Sequence, residues 1–419
     1  MIERTVKRIM IALIVFTIVS AIIIKYAFNI NSFRQIIIFA IGLIAISIFT
    51  YFYFHPSFII RKRREIFLLI FSLVIIFILM ETVLRINECG WKWDVTLNDE
   101  IKYKYEKSTK ICNSIIDGKR FYLKTNNEGF IDDDFKFNTE DYNIFLVGDS
   151  YAACLESNYG SCVHQKLEKD LKEKYGSKIN IMNFGVSSYS GLAELAVIKK
   201  YVDVYKPKMI ILYFYVNDLQ ENRDYVNKAY VKSEPQKIIR TITPKTLLFF
   251  FSNGKNLIDK IFIRFAWYRN LSGLESQAVD GHAMYLKDYN SEWQDLLDTE
   301  LDVLNETYKI ALERNITIMH VATTAKEQVY PELWIKAFES YPSLKLENYN
   351  SSKPNDVVMS YAKERGIPHL DLLPLFKNNP NNLHWVDGHW NDQGQLFAEE
   401  KIKDYIIKNN LVKLPKILK

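Results

Sequence analysis

The stretch N-I-F-L-V-G-D-S, residues 143–150, decides the fold. Its four consecutive apolar residues lead directly into Gly148, Asp149 and Ser150. A short apolar run of this kind predicts a strand buried on both faces of a parallel sheet. Gly148 permits a sharp turn, which places Ser150 at the carboxyl end of the strand, where open α/β sheets gather their ligands. Taken alone, Asp-Ser is also ordinary turn chemistry.

Strand-like and helix-like segments alternate from this stretch onward. The predicted strands are 143–147, 178–183, 208–215, 315–322 and 367–371, and the predicted helices are 162–174, 191–205, 291–314, 354–365 and 392–409. Alternation of this kind indicates right-handed crossovers and a parallel sheet. We therefore expect an α/β fold, a three-layer α/β/α sandwich around a parallel five-stranded sheet, over residues 142–419.

Two segments interrupt this pattern. Residues 88–141 are polar, aromatic and irregular, and we interpret them as a lead-in with a turn at 126–129. Residues 219–293 form an insertion, with predicted helices at 246–251 and 261–267. The aromatic residues of the insertion suit sugar stacking or a lipid chain, and they equally suit a packed lid.

Three apolar runs precede these segments, at residues 9–24, 36–54 and 66–84. Each is close to the roughly 17–25 residues that a helix needs to cross a bilayer. We expect residues 1–87 to be a membrane anchor with transmembrane helices at about 9–30, 35–54 and 65–85. Buried core helices are the alternative for all three runs. A signal peptide is the alternative for the first, although no small-x-small cleavage site follows it.

Basic residues predict the orientation of this anchor. They cluster before the first run and at 61–64, between the second and third runs. The positive-inside rule places both clusters in the cytoplasm. We therefore expect the N-terminus in the cytoplasm and everything after the third run on the extracytoplasmic side, periplasmic or cell-surface.

The net charge of +5 follows the same distribution. Residues 1–87 carry ten Lys and Arg and three Asp and Glu, which leaves 44 basic and 46 acidic residues in the remainder. The remainder is therefore nearly neutral, and we find no basic face for nucleic acid.

All four cysteines, Cys89, Cys112, Cys154 and Cys162, lie in the part predicted to be exported. An oxidising compartment permits disulfides, and four cysteines allow three pairings. The local pairs are Cys89–Cys112 and Cys154–Cys162, with free buried cysteines as the alternative.

Ser150 becomes a candidate nucleophile if a histidine and a carboxylate reach it. The segment L-H-W-V-D-G-H-W-N-D-Q-G, residues 383–394, offers His389 with Asp387 two residues before it. An ordinary Asp-Gly turn before a helix cap is the alternative interpretation. His320 and His369 lie inside predicted strands, where a histidine that packs in the core is the simpler explanation.

Two other strand ends supply candidate donors for an oxyanion. Gly185 follows the second predicted strand, where glycine lets a backbone N–H approach a ligand closely. Asn217 follows the third, and its side-chain amide is a suitable donor. Each alone is also an unremarkable turn.

The ordered blocks G-D-S (148–150), N-F-G (183–185), V-N-D (216–218) and D-G-H-W-N-x-x-G (387–394) resemble the SGNH/GDSL hydrolase superfamily over about residues 142–410. The resemblance implies a flavodoxin-like sandwich with Ser150 as nucleophile and first oxyanion donor. It implies Gly185 and Asn217 as further donors, His389 as general base and Asp387 as its orienting acid. Two positions depart from the usual pattern: Tyr215 stands where the third block has glycine, and Val386 stands where the last block has its acid.

The resemblance implies a membrane-anchored serine esterase or O-acyltransferase that works through an acyl-enzyme at Ser150. Its expected substrates are acyl (acetyl) esters of extracytoplasmic glycans, with membrane proteins of a surface-polysaccharide system as possible partners. We expect neither cofactor nor metal. The alternatives are a lipid or thioester hydrolase at the membrane surface, and a catalytically silent subunit for glycan binding or assembly. The intact Ser150, Asp387 and His389 argue against silence.

Overall fold

The structure of the protein is a computed structural model, which describes residues 61–86, 96–97, 101, 103–114, 119–227 and 274–414. The chain divides into two compact units. One contains Met1–Glu88 and Lys232–Val279, and the other contains Cys89–Val231 and Asp280–Lys419. The chemistry predicted from the sequence lies in the second unit.

Strands and helices of the described residues follow one another as expected of an α/β protein. The strands are β1 (Thr96–Leu97), β2 (Tyr103–Lys104), β3 (Lys110–Ser114), β4 (Arg120–Lys124), β5 (Tyr142–Val147), β6 (Ile179–Asn183), β7 (Met209–Phe214), β8 (Thr317–Ala322) and β9 (His369–Asp371). The α-helices are α1 (Arg63–Ile86), α2 (Ser150–Ala153), α3 (Val163–Tyr175), α4 (Gly191–Tyr205), α5 (Asp218–Val226), α6 (Leu274–His282), α7 (Ser291–Glu313), α8 (Lys326–Val329), α9 (Pro331–Ser340), α10 (Lys353–Glu364), α11 (Leu373–Lys377) and α12 (Asp392–Lys408). Short 3₁₀ turns occur at Ala283–Tyr285 and Leu346–Asn348.

The central sheet has five parallel strands in the order β6-β5-β7-β8-β9. This order is that of the flavodoxin-like doubly wound sheet, in which the first strand lies beside both the second and the third. The prediction of a parallel five-stranded sheet is confirmed. The arrangement brings the carboxyl ends of β5, β6 and β7 together at one edge.

The two faces of β5 explain why its sequence is apolar throughout. Ile144 and Leu146 belong to one buried cluster, which also contains residues of α3, α11 and α12. Phe145 and Val147 belong to the other cluster, which contains residues of α4, α7 and α10. Since successive side chains point to opposite faces of a strand, a strand between two helical layers needs an apolar residue at every position.

Most predicted elements of the sheet and its helices begin and end within about two residues of the observed bounds. The last strand of the central sheet is also its shortest, and it covers His369–Asp371 where 367–371 was predicted. Pro368 explains the difference, since proline has no N–H to donate to the ladder and is confined to strand starts and edges. Its carbonyl still accepts the N–H of His320 at 2.8 Å.

The lead-in is more ordered than the sequence predicted. β1 pairs with β2, and β3 pairs with β4, both antiparallel. In β4 the buried Phe121 and Leu123 alternate with outward-facing neighbours, which is the pattern of a strand with one covered face. The predicted turn at 126–129 is present, with Gly129 at φ +88° and its N–H donated to the carbonyl of Asn126.

Three residues separate the end of β7 from the first residue of α5, which lies at the start of the predicted insertion. The predicted helices 246–251 and 261–267 lie outside the described residues. α8 and α9 are further elements that the sequence did not predict.

α1 occupies the region of the third predicted transmembrane helix. Many of its large apolar side chains are exposed: Phe67, Leu68, Ile70, Phe71, Val74, Ile75, Ile76, Phe77, Ile78 and Leu79. By length and hydropathy, no helix among the described residues meets the requirement for crossing a membrane. The first two predicted transmembrane helices lie outside the described residues.

Candidate active site

Ser150 lies at the sharp turn between β5 and the short helix α2. A Cβ on Gly148 would come within 2.8 Å of the Cβ of Tyr213 and within 2.9 Å of the Cβ of Ala152, so only glycine fits this close approach. Asp149 caps α2 by accepting the N–H of Tyr151 at 3.0 Å. The hydroxyl of Ser150 lies 3.2 Å from Asp149 Oδ2. The turn therefore presents Ser150 at the carboxyl edge of the sheet.

His389 reaches Ser150 from the loop before α12. The distance between His389 Nε2 and Ser150 Oγ is 3.0 Å, which is hydrogen-bonding distance. The loop folds back on itself, since His384 and Trp390 form a bridge and the N–H of Trp385 donates to the carbonyl of His389 at 2.8 Å. Gly388 turns it with φ +104°, a conformation that favours glycine.

Two aromatic residues fix this loop against the sheet. The hydroxyl of Tyr151 donates to the carbonyl of Thr324 at 2.8 Å and lies 3.2 Å from the carbonyl of Gly388. The fully buried Trp390 donates its indole N–H to Thr324 Oγ1 at 3.0 Å. The residues after the serine and after the histidine are therefore both tied to the segment that follows β8.

Asp387, the acid predicted from the motif, faces the other nitrogen of His389. The distance from Asp387 Oδ1 to His389 Nδ1 is 3.7 Å, which is an ion-pair contact rather than a hydrogen bond. The same oxygen accepts the backbone N–H of His389 at 3.2 Å. The side chain of Asp387 is 20% exposed.

Glu156 is a second carboxylate at the same nitrogen, and sequence reasoning missed it. Its Oε1 lies 3.6 Å from His389 Nδ1, and its side chain is only 7% exposed. The disulfide between Cys154 and Cys162 closes the loop that carries it. The one signal in the sequence was its position between two cysteines predicted to pair.

One atom from each of Glu156, Asp387 and His389 could bind a metal ion, and these three atoms lie within 4.8 Å of one another. A histidine between two acids can also hold a cation, but His389 already directs its other nitrogen at Ser150. Both carboxylates therefore lie where they can orient His389.

The electrostatics of the site favour a charged histidine. Burial alone would lower the pKa of His389, but the carboxylates of Glu156 and Asp387 outweigh burial and raise the pKa to about 9. Burial raises the pKa of Glu156 to about 7, against the opposing effect of His389. Burial likewise raises the pKa of Asp149 to about 6.

Gly185 is placed beside α2, but its N–H is not free. The N–H donates to Asn183 Oδ1 at 2.9 Å, and the predicted role of Gly185 as an oxyanion donor stays a prediction. A Cβ at this position would come within 2.4 Å of the backbone of Ala152 and Ala153. Glycine is required here by the close approach of two backbones, which is a structural role next to Ser150.

Asn217 ends the segment after β7 and begins α5 as its N-cap. Its side chain makes no capping hydrogen bond, and its Oδ1 is buried without a partner. Because β7 pairs with β5, Asn217 lies at the same sheet edge as Ser150. The predicted role as an oxyanion donor stays a prediction.

Asn183 anchors the second motif in a buried polar cluster. Its N–H donates to Asp132 Oδ2 at 2.9 Å, and its side-chain amide donates to the carbonyls of Ile131 at 3.1 Å and Ala152 at 3.0 Å. Burial raises the pKa of Asp132 to about 8 and lowers the pKa of the adjacent His164 to about 3. The lead-in thus contributes a carboxyl group to the support of this strand end.

The remaining predicted residues fall as follows. Cys154 and Cys162 form a disulfide with a Cα–Cα distance of 5.7 Å. Cys112 is also disulfide-bonded, and its predicted partner Cys89 lies outside the described residues. His320 is buried, and its Nδ1 lies 2.9 Å from the hydroxyl of Tyr308, as expected of a core histidine. The Nδ1 of His369 lies 2.8 Å from the carbonyl of Ile367.

The chain was compared with known proteins. No protein-family model matches it, and no curated protein matches it. Among solved structures it is similar to the acetyl xylan esterase AlAXEase, with 13% identity over 62% of this chain and 97% of the other at a TM-score of 0.37. It is similar to a member of the lipolytic G-D-S-L family from Veillonella parvula, with 12% identity over 64% of this chain and 99% of the other, at a TM-score of 0.36. It is also similar to a lipase/acylhydrolase from Enterococcus faecalis, with 13% identity over 64% of this chain and 97% of the other, at a TM-score of 0.36.

The fold and the site themselves define a doubly wound α/β protein with a serine–histidine–carboxylate arrangement at the carboxyl edge of its sheet.

Proposed function

We propose that the protein is a serine esterase or O-acyltransferase that forms an acyl-enzyme at Ser150, in agreement with the SGNH/GDSL resemblance of its motifs. The observation that carries the proposal is the 3.0 Å contact between Ser150 Oγ and His389 Nε2, with carboxylates at the opposite nitrogen. A nucleophile, a base within reach of its proton and an acid behind that base form the arrangement that activates a hydroxyl.

In this reaction Ser150 Oγ bonds to the carbonyl carbon of the ester as its proton passes to His389 Nε2. The negative charge on the carbonyl oxygen is stabilised by N–H donors at the sheet edge, for which we propose the backbone of Ser150 and the side chain of Asn217. The intermediate collapses by breaking the bond to the alcohol, which takes the proton from Nε2. Water or a second hydroxyl then gives a proton to Nε2 and bonds to the acyl carbon, and the bond to Ser150 Oγ breaks as Oγ takes that proton back.

We propose acyl esters, acetyl esters in particular, of extracytoplasmic glycans as substrates. The proposal rests on the export predicted by the basic clusters in the N-terminal region and agrees with the Cys154–Cys162 disulfide, since such bonds persist in oxidising compartments. The predicted membrane anchor would hold the site near the outer face of the bilayer. The apolar side chains exposed along α1 support contact with lipid or with a membrane partner of a polysaccharide system.

The experiment compares the full chain in detergent with its Ser150→Ala variant on a short activated acyl ester and on native acylated glycan. We expect ester cleavage or acyl transfer by the wild type and a loss of at least about 10³-fold in the variant. Equal rates with folded proteins would contradict the proposal. Activity on the activated ester without any change in the glycan would support the esterase activity but contradict the proposed glycan substrate.

A further inference from the structure

Two carboxylates face His389 Nδ1, although one is enough to orient an imidazole. We propose that Glu156 is the principal positioning residue for His389 and that Asp387 assists it. This inference rests on the proposed function, since His389 needs an orienting acid only if it serves Ser150. It replaces the expectation that the acid lies in the same loop as the histidine.

Burial distinguishes the two carboxylates. The side chain of Glu156 is 7% exposed and that of Asp387 is 20% exposed, while their distances to Nδ1 are nearly equal at 3.6 and 3.7 Å. An ion pair is stronger where water is excluded, because the effective dielectric constant is lower there. At equal distance, the more buried Glu156 therefore interacts more strongly with the imidazolium.

The partners of the two carboxylates lead to the same assignment. Asp387 Oδ1 already accepts the backbone N–H of His389, which fixes it as part of the Asp-Gly turn. Among the side chains that the structure describes, His389 is the one basic group paired with Glu156. Leaving a carboxylate buried without a counter-charge is costly, so Glu156 and His389 stabilise each other's charge.

Two contacts hold the backbone of Glu156 in place. The disulfide between Cys154 and Cys162 brackets it. Trp385 of the histidine loop donates its indole N–H to the carbonyl of Glu156 at 2.9 Å. A preorganised carboxylate can fix the tautomer and the ring plane of His389 without losing entropy at each turnover.

The usual acid position of the motif explains why a second source of charge is useful. That position holds Val386, which is 62% exposed and carries no charge. Glu156, six residues after the nucleophile in sequence, supplies a buried carboxylate to His389 Nδ1.

Several titratable groups surround His389. Asp149 lies on the serine turn, and the Tyr151 ring on α2 packs against the imidazole at 5.5 Å. Asp387 and Glu156 face Nδ1, and Lys326 of α8 donates to the carbonyl of Trp385 in the histidine loop. Removal of Glu156 leaves the other four in place, so a change in the titration of His389 can be assigned to Glu156.

The test measures kcat, KM and the pH profile of kcat/KM for an activated acyl ester, with the full chain in detergent. The variants are Glu156→Gln, Glu156→Asp and Asp387→Asn, with Glu399→Gln as a control that removes another buried carboxylate from α12. We expect Glu156→Gln to lower kcat by about 10²-fold or more at little change in KM. It should also move the acid limb of the profile down by about one pH unit, because the histidine loses its stronger counter-charge.

Asp387→Asn should have the smaller effect on both quantities, and Glu399→Gln should stay within about twofold of the wild type. Glu156→Asp keeps the carboxylate but places it farther from His389 Nδ1, so it should move the acid limb in the same direction. This variant tests the role of Glu156 if Glu156→Gln does not fold. An unchanged acid limb and kcat in a folded Glu156 variant would overturn the inference and leave the proposed function standing. Undiminished activity in Ser150→Ala would overturn both.

Discussion

At the scale of single residues, the proposed chemistry depends on Ser150, His389 and the two acids behind His389. The hydroxyl of Ser150 contacts one nitrogen of the His389 imidazole, and two largely buried carboxylates face the other nitrogen. As a consequence, the pKa of His389 is raised and its imidazole keeps a proton at neutral pH. A base that is charged at neutral pH works only in the fraction of molecules in which it has lost its proton.

This property predicts an alkaline pH dependence. The carboxylates hold the pKa of His389 at about 9, against the opposite effect of burial, so its neutral form increases as pH rises from 7 to 9. We expect the rate of ester cleavage at limiting substrate to increase by up to about 50-fold over this range, in proportion to the neutral fraction of His389. A profile of kcat/KM corrected for spontaneous hydrolysis provides the measurement. A plateau already complete at pH 7 would show that the histidine titrates near its ordinary value.

The close approach at Gly185 makes a second prediction at this scale. In Gly185→Ala the added Cβ would meet the backbone of Ala152 and Ala153 at 2.4 Å, which forces the serine helix to move. We expect a loss of about 1–3 kcal/mol in stability and a marked loss of activity. Thermal denaturation and ester cleavage measure the two effects. Gly281→Ala is the matched control, because nothing lies within 4 Å of its added Cβ and both properties should stay close to wild type.

How far the sequence predicts the site depends on how local each signal is. Ser150 and His389 stand in short blocks whose residue types carry chemistry, and the order of four such blocks along the chain identifies both residues as candidates. Glu156 has no such block, because its role arises from a disulfide loop that meets a segment more than 200 residues away. The contact between the Gly185 N–H and Asn183 Oδ1 could not be predicted either, because sequence does not reveal which side chain accepts a given backbone N–H.

At the scale of elements, the lead-in acts as part of the site's support. Its Asp132 reaches the end of β6, and its strand β4 binds the disulfide loop through the carbonyl of Tyr122, which accepts the N–H of Tyr159 at 3.1 Å. The apolar runs of the central strands made those elements predictable, since burial on both faces leaves little choice of residue. The short lead-in strands were not predictable, because two to five residues carry too little periodicity.

Asp132 predicts how stability changes with pH. Burial raises the pKa of its carboxyl to about 8 in the folded chain, whereas the unfolded value is 3.8. Between these values the unfolded chain loses a proton that the folded chain keeps, so this group's contribution to stability falls as pH rises. The side chain in Asp132→Asn cannot ionise. As pH rises from 5 to 8, we expect the free energy of unfolding of this variant to increase by at least about 1 kcal/mol relative to that of the wild type.

Denaturation of both proteins at the two pH values measures this change. The variant also loses one of the two acceptors that serve Asn183 and Asp133, so it should be the less stable protein at pH 5. A stability difference that is the same at both pH values would mean that Asp132 is ionised in the folded protein.

At the scale of the whole molecule, the proposed anchor and the catalytic unit belong to different compact parts of the chain. We predict that a reporter fused after Lys419 is active only outside the cytoplasm, and that the full chain resists extraction from membranes by alkaline carbonate. The physical reason is the asymmetry of basic residues around the apolar runs. A reporter fused before the first run, with the opposite expected location, is the control. Cytoplasmic activity of the C-terminal fusion would reject the predicted topology.

Covalent labelling of the full chain with a serine-reactive alkyl phosphonate tests the central claim most directly, because it requires a nucleophilic hydroxyl but no knowledge of the substrate. We predict a single adduct, located by peptide mass spectrometry on Ser150, and no adduct in Ser150→Ala. Labelling should slow in parallel with ester cleavage as pH falls. A folded wild-type protein that remains unlabelled, or that carries the adduct on another residue, would contradict the account.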